Sequence, residues 1–239
     1  MSCIRKGRWP TLSCLAVLTL LISCRKQATD NQPLLPSPIF ISSPADTVVI
    51  ERGIDAVPDV NAIQVDWLLM PEYKGYELFR RNADETKFTL LRSFSEKDSS
   101  YLDQAAILAN KRYYYYIRAY DKKQNRTPPS DTLDYKLLDK AFNLSASLAN
   151  PLVFHWQVQE ILSPFYVLKL FDDASGEKIW FSRITSSYQG FEEQAAYNWD
   201  GKAELSQLIP GRSYRWRVDI VGPDSNSGSE SNWHKFKMP

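Results

Sequence analysis

A turn followed by a strand near the end of the chain constrains the fold more than any other stretch. Between Leu208 and Ile220, the pair Pro210-Gly211 interrupts the chain, and large apolar side chains then recur at every second position: Tyr214, Trp216, Val218 and Ile220. The Pro-Gly pair marks a turn. The alternation predicts a strand with one buried face, because successive side chains point to opposite sides of a sheet. A tyrosine that opens such a strand can hydrogen-bond back to the backbone of the turn.

The same pattern occurs a second time, earlier in the chain. Its alternating residues are Tyr113, Tyr115, Ile117 and Ala119. Ile107 takes the place of Leu208, whereas Ala109 stands where the later copy has Pro210. The spacing between the copies exceeds the roughly 20–50 residues of solenoid repeats, so it indicates two whole domains in tandem.

The spacing Leu-x-Pro-x-x-x-Tyr-x-Trp-x-Val, which begins at Leu208, resembles the turn and F strand of a fibronectin type III domain. The resemblance implies an all-β fold of two tandem immunoglobulin-like (fibronectin type III) β-sandwiches, over residues 44–138 and 139–239. In each, a tryptophan of strand B, Trp67 or Trp156, is the expected core anchor. Residues 133–142 contain no proline or glycine, so we expect a semi-rigid end-to-end pair. Residues 222–231, rich in Gly and Ser, are predicted to form a flexible loop.

The N-terminal stretch has the features of a targeting signal. Basic residues at positions 5, 6 and 8 precede an apolar run over 15–22, which is too short for a permanent membrane span. The sequence Leu-Ile-Ser-Cys that ends at Cys24 resembles the lipobox of bacterial lipoproteins. This resemblance implies removal of residues 1–23, lipidation of Cys24 and attachment to the outer membrane or cell surface. The alternatives are an ordinary signal peptide and an uncleaved anchor. Residues 24–43, with three prolines, are predicted to be a tether.

Charge and composition argue against most chemical functions. The formal net charge is +1 without a long basic block, so nucleic acid is not an expected partner. The chain has two histidines, His155 and His234, and no metal-ligating or nucleophile motif. The carboxylate pair Asp172-Asp173 lies in a predicted hairpin turn, where aspartate is common for structural reasons. We therefore expect no enzymatic activity, no cofactor and no bound metal.

Two aromatic groups are candidates for binding. On the outer face of the first domain, strand alternation brings together Phe79, Tyr114 and Tyr116, which could contact a protein partner. Their alternative role is cross-strand pairing that only stabilises the sheet. In the second domain, the long segment 186–202 contains Tyr197 and Trp199, which could form a platform for a sugar ring. The alternatives there are an aromatic side chain that covers the sandwich edge and an unrecognised strand.

These observations predict a non-enzymatic cell-envelope lipoprotein, held in the membrane through Cys24, that acts as a protein-interaction and spacer module. The alternative function is that of a carbohydrate-binding accessory lipoprotein that uses aromatic residues of the second domain. Both hypotheses depend on the site and not on the fold, because β-sandwiches of this kind support many unrelated functions.

Overall fold

The computed structural model describes residues 35–42, 47–160, 163–187 and 190–239. These residues form β-strands, turns and loops without any helix. The described part of the chain accordingly has no helix with the length and hydrophobicity that a membrane crossing requires. The first seven strands are β1 Ile54–Ala56, β2 Ile63–Asp66, β3 Gly75–Asn82, β4 Thr89–Ser95, β5 Ser100–Asp103, β6 Lys111–Tyr120 and β7 Leu133–Leu137. The next eight are β8 Phe142–Ser147, β9 Val153–Gln157, β10 Phe165–Asp172, β11 Lys178–Thr185, β12 Glu192–Ala196, β13 Ser213–Val221, β14 Ser227–Glu230 and β15 His234–Lys237.

Strands β1 to β7 form the first β-sandwich. The sheet β1-β2-β5 faces strands β4, β3, β6 and β7, and the core between them comes from the alternate side chains of both layers. Trp67 is fully buried, and its ring packs against Tyr76 at 5.8 Å and Phe94 at 5.0 Å between centroids. This confirms the predicted role of the strand B tryptophan as a core anchor.

Strands β8 to β15 form the second β-sandwich around a separate hydrophobic core. The sheet β12-β9-β8 faces β11, β10, β13 and β15. Trp156 is buried and meets Tyr166 edge-on at 5.6 Å, and Trp67 likewise packs against Tyr76 in the first sandwich, with the two rings tilted by 51°. The all-β, immunoglobulin-like tandem that the sequence predicts is thus the observed fold.

Both predicted tyrosine corners are present. The hydroxyl of Tyr113 accepts a hydrogen bond from the Leu108 amide at 2.9 Å and donates to the Ala106 carbonyl at 3.2 Å. The hydroxyl of Tyr214 accepts one from the Ile209 amide at 3.0 Å. Each tyrosine therefore fixes the turn that precedes its strand, and the first does so without the corner proline.

The two sandwiches share one sheet. β14 of the second pairs in parallel with β7 of the first, which joins the larger layers into a nine-stranded sheet. The amides of Lys136 and Leu138 donate to the carbonyls of Asn226 and Gly228, each at 2.9 Å. The prediction of a flexible loop over 222–231 is therefore wrong for Ser227–Glu230, which is a buried strand. The sandwiches meet along strand edges and not only end to end.

Part of the predicted tether packs on the first sandwich. The amide of Ile41 donates to the Asp66 carbonyl at 3.0 Å, the amide of Leu68 donates to the Ile39 carbonyl at 2.9 Å, and the Tyr73 hydroxyl donates to the Pro36 carbonyl at 2.6 Å. The backbone of residues 39–41 therefore extends the smaller sheet of this sandwich, with Phe40 opposite Trp67. Cys24 and the predicted signal peptide lie outside the described residues.

Candidate functional site

The first candidate site is a set of ring contacts on the outer face of the first sandwich, which we call the aromatic strip: Phe79, Arg81, Phe88, Tyr114 and Tyr116. Phe79 of β3 lies opposite Tyr116 of β6, and their rings stack at 4.6 Å between centroids with an interplanar angle of 12°. Phe88 meets Tyr116 edge-on at 4.8 Å. The guanidinium carbon of Arg81 lies 3.9 Å from the Tyr114 ring centroid and 5.2 Å from that of Phe88.

Strand alternation explains why these side chains face outward. Along β6, Tyr113 and Tyr115 are buried, whereas Tyr114 and Tyr116 are half-buried. The antiparallel register with β3 then places Phe79 beside Tyr116. The sequence correctly predicted this common face, on which alternation also places Arg81, and the structure adds the Phe88 ring and the contacts of Arg81 with Tyr114 and Phe88. That the strip binds a partner stays a prediction.

The strip has chemistry that suits either of its two predicted roles. Stacked and edge-on rings stabilise a sheet by about 0.5–1.5 kcal/mol per pair beyond simple burial. Aromatic and arginine side chains are also the residues that most often dominate the binding energy of protein interfaces. Leu90, which lies opposite Phe79 on β4 and is 51% exposed, extends the apolar row to the edge of the sheet.

The second predicted site, segment 186–202, has a largely structural role where it is described. Glu192–Ala196 forms β12 and pairs with β9, so the segment contains the strand that the sequence left as an alternative. The Tyr197 ring packs edge-on against Trp180 at 5.5 Å, and its hydroxyl donates to the Leu205 carbonyl at 2.6 Å. Asp200 accepts hydrogen bonds from Trp180 and Ser182, each at 2.9 Å.

Tyr197 and Trp199 consequently differ in what they offer a ligand. Tyr197 is half-buried against the second core, whereas Trp199 is 58% exposed on the turn that follows β12. A sugar platform made of two rings needs an accessible face on each ring. Tyr197 packs against Trp180, so Trp199 is the better candidate of the two.

Sequence reasoning missed a buried group of charges where the sandwiches meet, here called the interdomain charge cluster: Glu51, Lys169, Arg217, Asp219 and Glu230. Arg217 Nη2 lies 2.7 Å from Glu51 Oε2 and 2.5 Å from Glu230 Oε1. Lys169 Nζ contacts Glu51 and lies 2.7 Å from Asp219 Oδ2. Glu51 belongs to the first sandwich and the other four to the second. Lys169 and Arg217 each interrupt a hydrophobic strand, which indicates a buried charge but does not identify its partners.

The pKa shifts within the cluster follow from burial and from its charge balance. Burial, reinforced by repulsion from Asp219, raises the pKa of Glu230 to about 10 despite the nearby Arg217. Burial opposes ionisation of Glu51 too, but attraction by Lys169 and Arg217 outweighs it and lowers the pKa of Glu51. With Glu230 protonated, the two cations balance the carboxylates of Glu51 and Asp219.

Three carboxyl groups at the junction are close enough to consider as metal ligands. Oxygen atoms of Glu51, Asp55 and Glu230 all lie within 4.8 Å of one another. However, Arg217 already donates to Glu51 and Glu230, and Tyr135 donates to Asp55 at 2.9 Å. A divalent cation prefers carboxylates that carry no proton and have no cationic neighbour. The arrangement therefore fits an ion-paired junction better than a metal centre.

The other titratable residues noted in the sequence have local partners. Asp172 accepts hydrogen bonds from the amides of Ala174 and Ser175, each at 2.9 Å, as expected for an aspartate in a hairpin turn. His155 Nε2 lies 3.1 Å from Ser147 Oγ on the neighbouring strand. Burial lowers the pKa of His234, whose ring lies 5.9 Å from that of Trp216.

Two serines that the sequence did not single out have equivalent roles in the two sandwiches. The Ser130 hydroxyl accepts a hydrogen bond from the Ile117 amide at 3.0 Å, and the Ser231 hydroxyl accepts one from the Val218 amide at 2.9 Å. Ile117 and Val218 occupy matching positions of the repeated F strand, so the sequence repeat could have indicated the pair. Ser130 precedes β7 and Ser231 follows β14, and in each case the hydroxyl takes the place of a backbone acceptor.

Comparison with solved structures finds weak similarity to tandem fibronectin type III segments. A two-domain segment of chicken tenascin aligns over 77% of this chain and 95% of its own, with 13% identity and a TM-score of 0.32. The FN1-FN3 domains of chicken CNTN1 align over 85% of this chain and 66% of theirs, with 11% identity and a TM-score of 0.36.

A beta-1,2-glucanase from Parabacteroides distasonis aligns over 45% of this chain and 13% of its own length, with 18% identity and a TM-score of 0.35. No protein-family model matches the sequence, and neither does any curated protein. The similarities to solved structures are too low to carry an argument. The fold assignment therefore rests on the strand order, the two cores and the paired tyrosine corners of the chain itself.

Proposed function

We propose that this protein is a non-enzymatic lipoprotein of the bacterial cell envelope in which two fused β-sandwiches hold the aromatic strip out to a protein partner. The observation that carries the proposal is the strip itself, in which stacked rings and an arginine lie together on an outward sheet face. Rings with few rotatable bonds lose little conformational entropy on binding, which favours them as interface anchors.

The spacer part of the proposal is supported by the junction between the sandwiches. Lys140 Nζ donates to the carbonyls of Val57 and Glu230, each at 2.6 Å, and the Trp233 amide donates to Asp59 at 3.1 Å. Together with the β7–β14 pairing and the interdomain charge cluster, these contacts oppose hinge motion between the sandwiches. A fixed geometry suits a module that positions a contact surface at a set distance from its anchor.

The anchor itself is proposed from sequence alone, through the lipobox-like residues that end at Cys24. We expect the wild-type chain in the membrane fraction of its bacterial host and a Cys24→Ser chain in the soluble fraction. Recovery of the Cys24→Ser chain in the membrane fraction would contradict lipid anchoring, without bearing on the aromatic strip.

The protein contact is tested by crosslinking in the native envelope followed by affinity capture. Tyr116→Ala should reduce the yield of the crosslinked partner several-fold, because it removes the ring that both Phe79 and Phe88 contact. The matched control is Leu108→Ala, a truncation of a 56% exposed apolar side chain outside the strip. Equal partner yields from Tyr116→Ala, Leu108→Ala and wild type would refute the strip as the contact surface.

A further inference from the structure

The second sandwich has a polar groove that the proposed protein contact does not use. The groove encloses about 640 Å³, and its floor is the outward face of the sheet β12-β9-β8. Six side chains supply most of its hydrogen-bonding groups: Asn143, Ser145, His155, Gln157, Glu192 and Gln194. Thr185 and Ser187 contribute a side wall, which is also polar.

The strand register arranges these groups in two rows across the sheet. The first row is Phe142, Gln157 and Glu192, and the second is Ser145, His155 and Gln194. Neighbours in a row share a face and lie close enough to act on one ligand. Each row combines hydrogen-bond donors with acceptors. The floor can therefore bind ligand hydroxyls, which both donate and accept hydrogen bonds.

Hydrogen bonds within the groove fix the orientation of its amides. Asn143 Nδ2 donates to Gln157 Oε1 at 2.7 Å, and Gln157 Nε2 donates to Glu192 Oε1 at 3.0 Å. Each contact uses one of the several hydrogen-bonding positions on these side chains, and a ligand can engage others. Because the side chains are already ordered, binding costs little further side-chain entropy.

The charge of the groove indicates which ligands it would accept. Among the described residues that line it, Glu192 and Glu193 are acidic and none is lysine or arginine. Glu193 is buried and accepts hydrogen bonds from Ser186 and Ser187. Anionic ligands would meet uncompensated negative charge, and an apolar peptide side chain would bury unsatisfied amides. A neutral polyhydroxylated ligand avoids both costs.

The strand register places an aromatic residue at the end of the first row, next to the side chains that line the groove but not among them. Phe142 is 38% exposed and lies opposite Gln157 in the pairing of β8 with β9. The paired amide and carboxylate groups of the groove suit the edge of a sugar ring, whose hydroxyls both donate and accept hydrogen bonds. We propose that this groove is a binding site for a neutral oligosaccharide.

The proposal is tested with the chain from residue 24 that carries Cys24→Ser, titrated calorimetrically with neutral hexasaccharides of glucose, xylose and mannose. Hyaluronan and heparin hexasaccharides serve as anionic probes. At least one neutral probe should bind, and Gln157→Ala/Gln194→Ala should weaken that binding about tenfold through the loss of several hydrogen bonds. Addition of the neutral probe should also slow amide exchange in β9 and β12.

Two control variants separate the groove from other sites. Gln64→Ala removes an amide from the corresponding strand β2 of the first sandwich, and Trp199→Ala removes the exposed ring of the turn after β12. Gln64→Ala should leave the affinity unchanged, and Trp199→Ala distinguishes binding in the groove from binding at the exposed ring of the turn. The proposal is overturned if no neutral probe binds, if an anionic probe binds more tightly, or if Trp199→Ala abolishes binding while Gln157→Ala/Gln194→Ala does not. None of these outcomes bears on the aromatic strip.

Discussion

Arg217 in the second sandwich and Glu51 in the first form an ion pair across the domain junction, with 2.7 Å between Nη2 and Oε2. Their side chains are 6% and 19% exposed, so the pair is largely shielded from solvent. Glu51 precedes β1 and extends from the first sandwich to the sheet of the second. The contact therefore joins two hydrophobic cores that have no apolar residue in common.

Removal of Glu51 should destabilise the protein strongly. Glu51→Ala leaves Lys169 and Arg217 buried without one of their counter-charges, which typically costs about 3–5 kcal/mol. We expect a loss of that order in the free energy of unfolding, measured by urea denaturation. The matched control is Glu96→Ala, whose partner Lys74 lies 3.7 Å away with both side chains substantially exposed. That variant should lose less than about 1 kcal/mol. Equal losses would show that the junction pair has no special role.

The raised pKa of Glu230 predicts a fall in stability as pH rises. Below the usual value of 4.5, Glu230 is protonated in both states, and between 4.5 and about 10 only the folded state retains the proton. Unfolding therefore releases a proton in this window, and the free energy of unfolding falls by up to about 1.4 kcal/mol per pH unit. Glu230→Gln removes this contribution.

The experiment compares wild type with Glu230→Gln between pH 5 and pH 8. The difference in unfolding free energy, wild type minus variant, should decrease steadily across this range. Burial lowers the pKa of Lys140 to about 8, so above that pH this group makes the free energy of unfolding rise with pH. Burial also lowers the pKa of His234, which has the same effect at lower pH. His234 is present in each protein, so its contribution cancels in the difference, and below pH 8 Lys140 is protonated in both the folded and the unfolded state. Parallel pH profiles would rule out a proton on Glu230 in the folded state.

The sequence predicted those parts of the fold whose causes are local. Alternating aromatic and aliphatic residues identified both F strands, and the turn before each identified Tyr113 and Tyr214 as corner residues. The outward face that contains Phe79, Tyr114 and Tyr116 followed from the same alternation, since period two assigns every side chain to one side of the sheet.

The junction could not be predicted because its causes lie far apart in the chain. Ser227–Glu230 has the small polar residues of a loop, yet β7 of the other sandwich supplies hydrogen-bond partners that make it a strand. From the sequence alone, a glutamate at position 51 would be expected on the solvated surface, because Lys169 and Arg217 approach it only in the folded chain. The sequence left the segment 186–202 open between a binding loop and a structural edge for a similar reason: pairing with β9, and not the propensity of Glu192–Ala196, creates β12.

The corner tyrosines should contribute to stability through their hydroxyls. Tyr214→Phe leaves the Ile209 amide without its acceptor, and Tyr113→Phe removes two hydrogen bonds, to Leu108 and Ala106. We expect each to cost about 1–3 kcal/mol, with the larger loss for Tyr113→Phe. Tyr120→Phe is the control, since its hydroxyl makes a long contact of 3.4 Å to the Phe94 carbonyl and should cost less. Thermal unfolding of the three variants checks this order.

Ser130 and Ser231 should make equivalent contributions in the two sandwiches. Ser130→Ala and Ser231→Ala each leave a buried backbone amide, that of Ile117 or Val218, without an acceptor. The expected loss is about 1–3 kcal/mol per variant, and the two losses should add, because the sites lie in separate cores. Ser206→Ala, on an exposed turn, should be neutral. A neutral result for Ser231→Ala would mean that water satisfies the Val218 amide.

Gly228 should tolerate no side chain, because two parts of the fold approach it closely. A Cβ atom there would lie 2.6 Å from the Ile220 carbonyl oxygen and 3.1 Å from the Tyr135 hydroxyl. Gly228→Ala must therefore displace β14 from β13 or from the first sandwich. We expect a loss of more than about 2 kcal/mol in unfolding free energy and faster exchange of the Lys136 and Leu138 amides, which bond to this strand.

The control for Gly228→Ala is Gly201→Ala. Gly201 has φ of +70°, and its Cβ would meet no atom within 4 Å, so this variant incurs only the backbone strain of a left-handed residue, about 1–2 kcal/mol. It should leave exchange at Lys136 and Leu138 unchanged, because it lies outside the junction. If both variants lose the same stability and neither alters that exchange, β14 does not hold the two sandwiches together, and the spacer would have to be regarded as hinged.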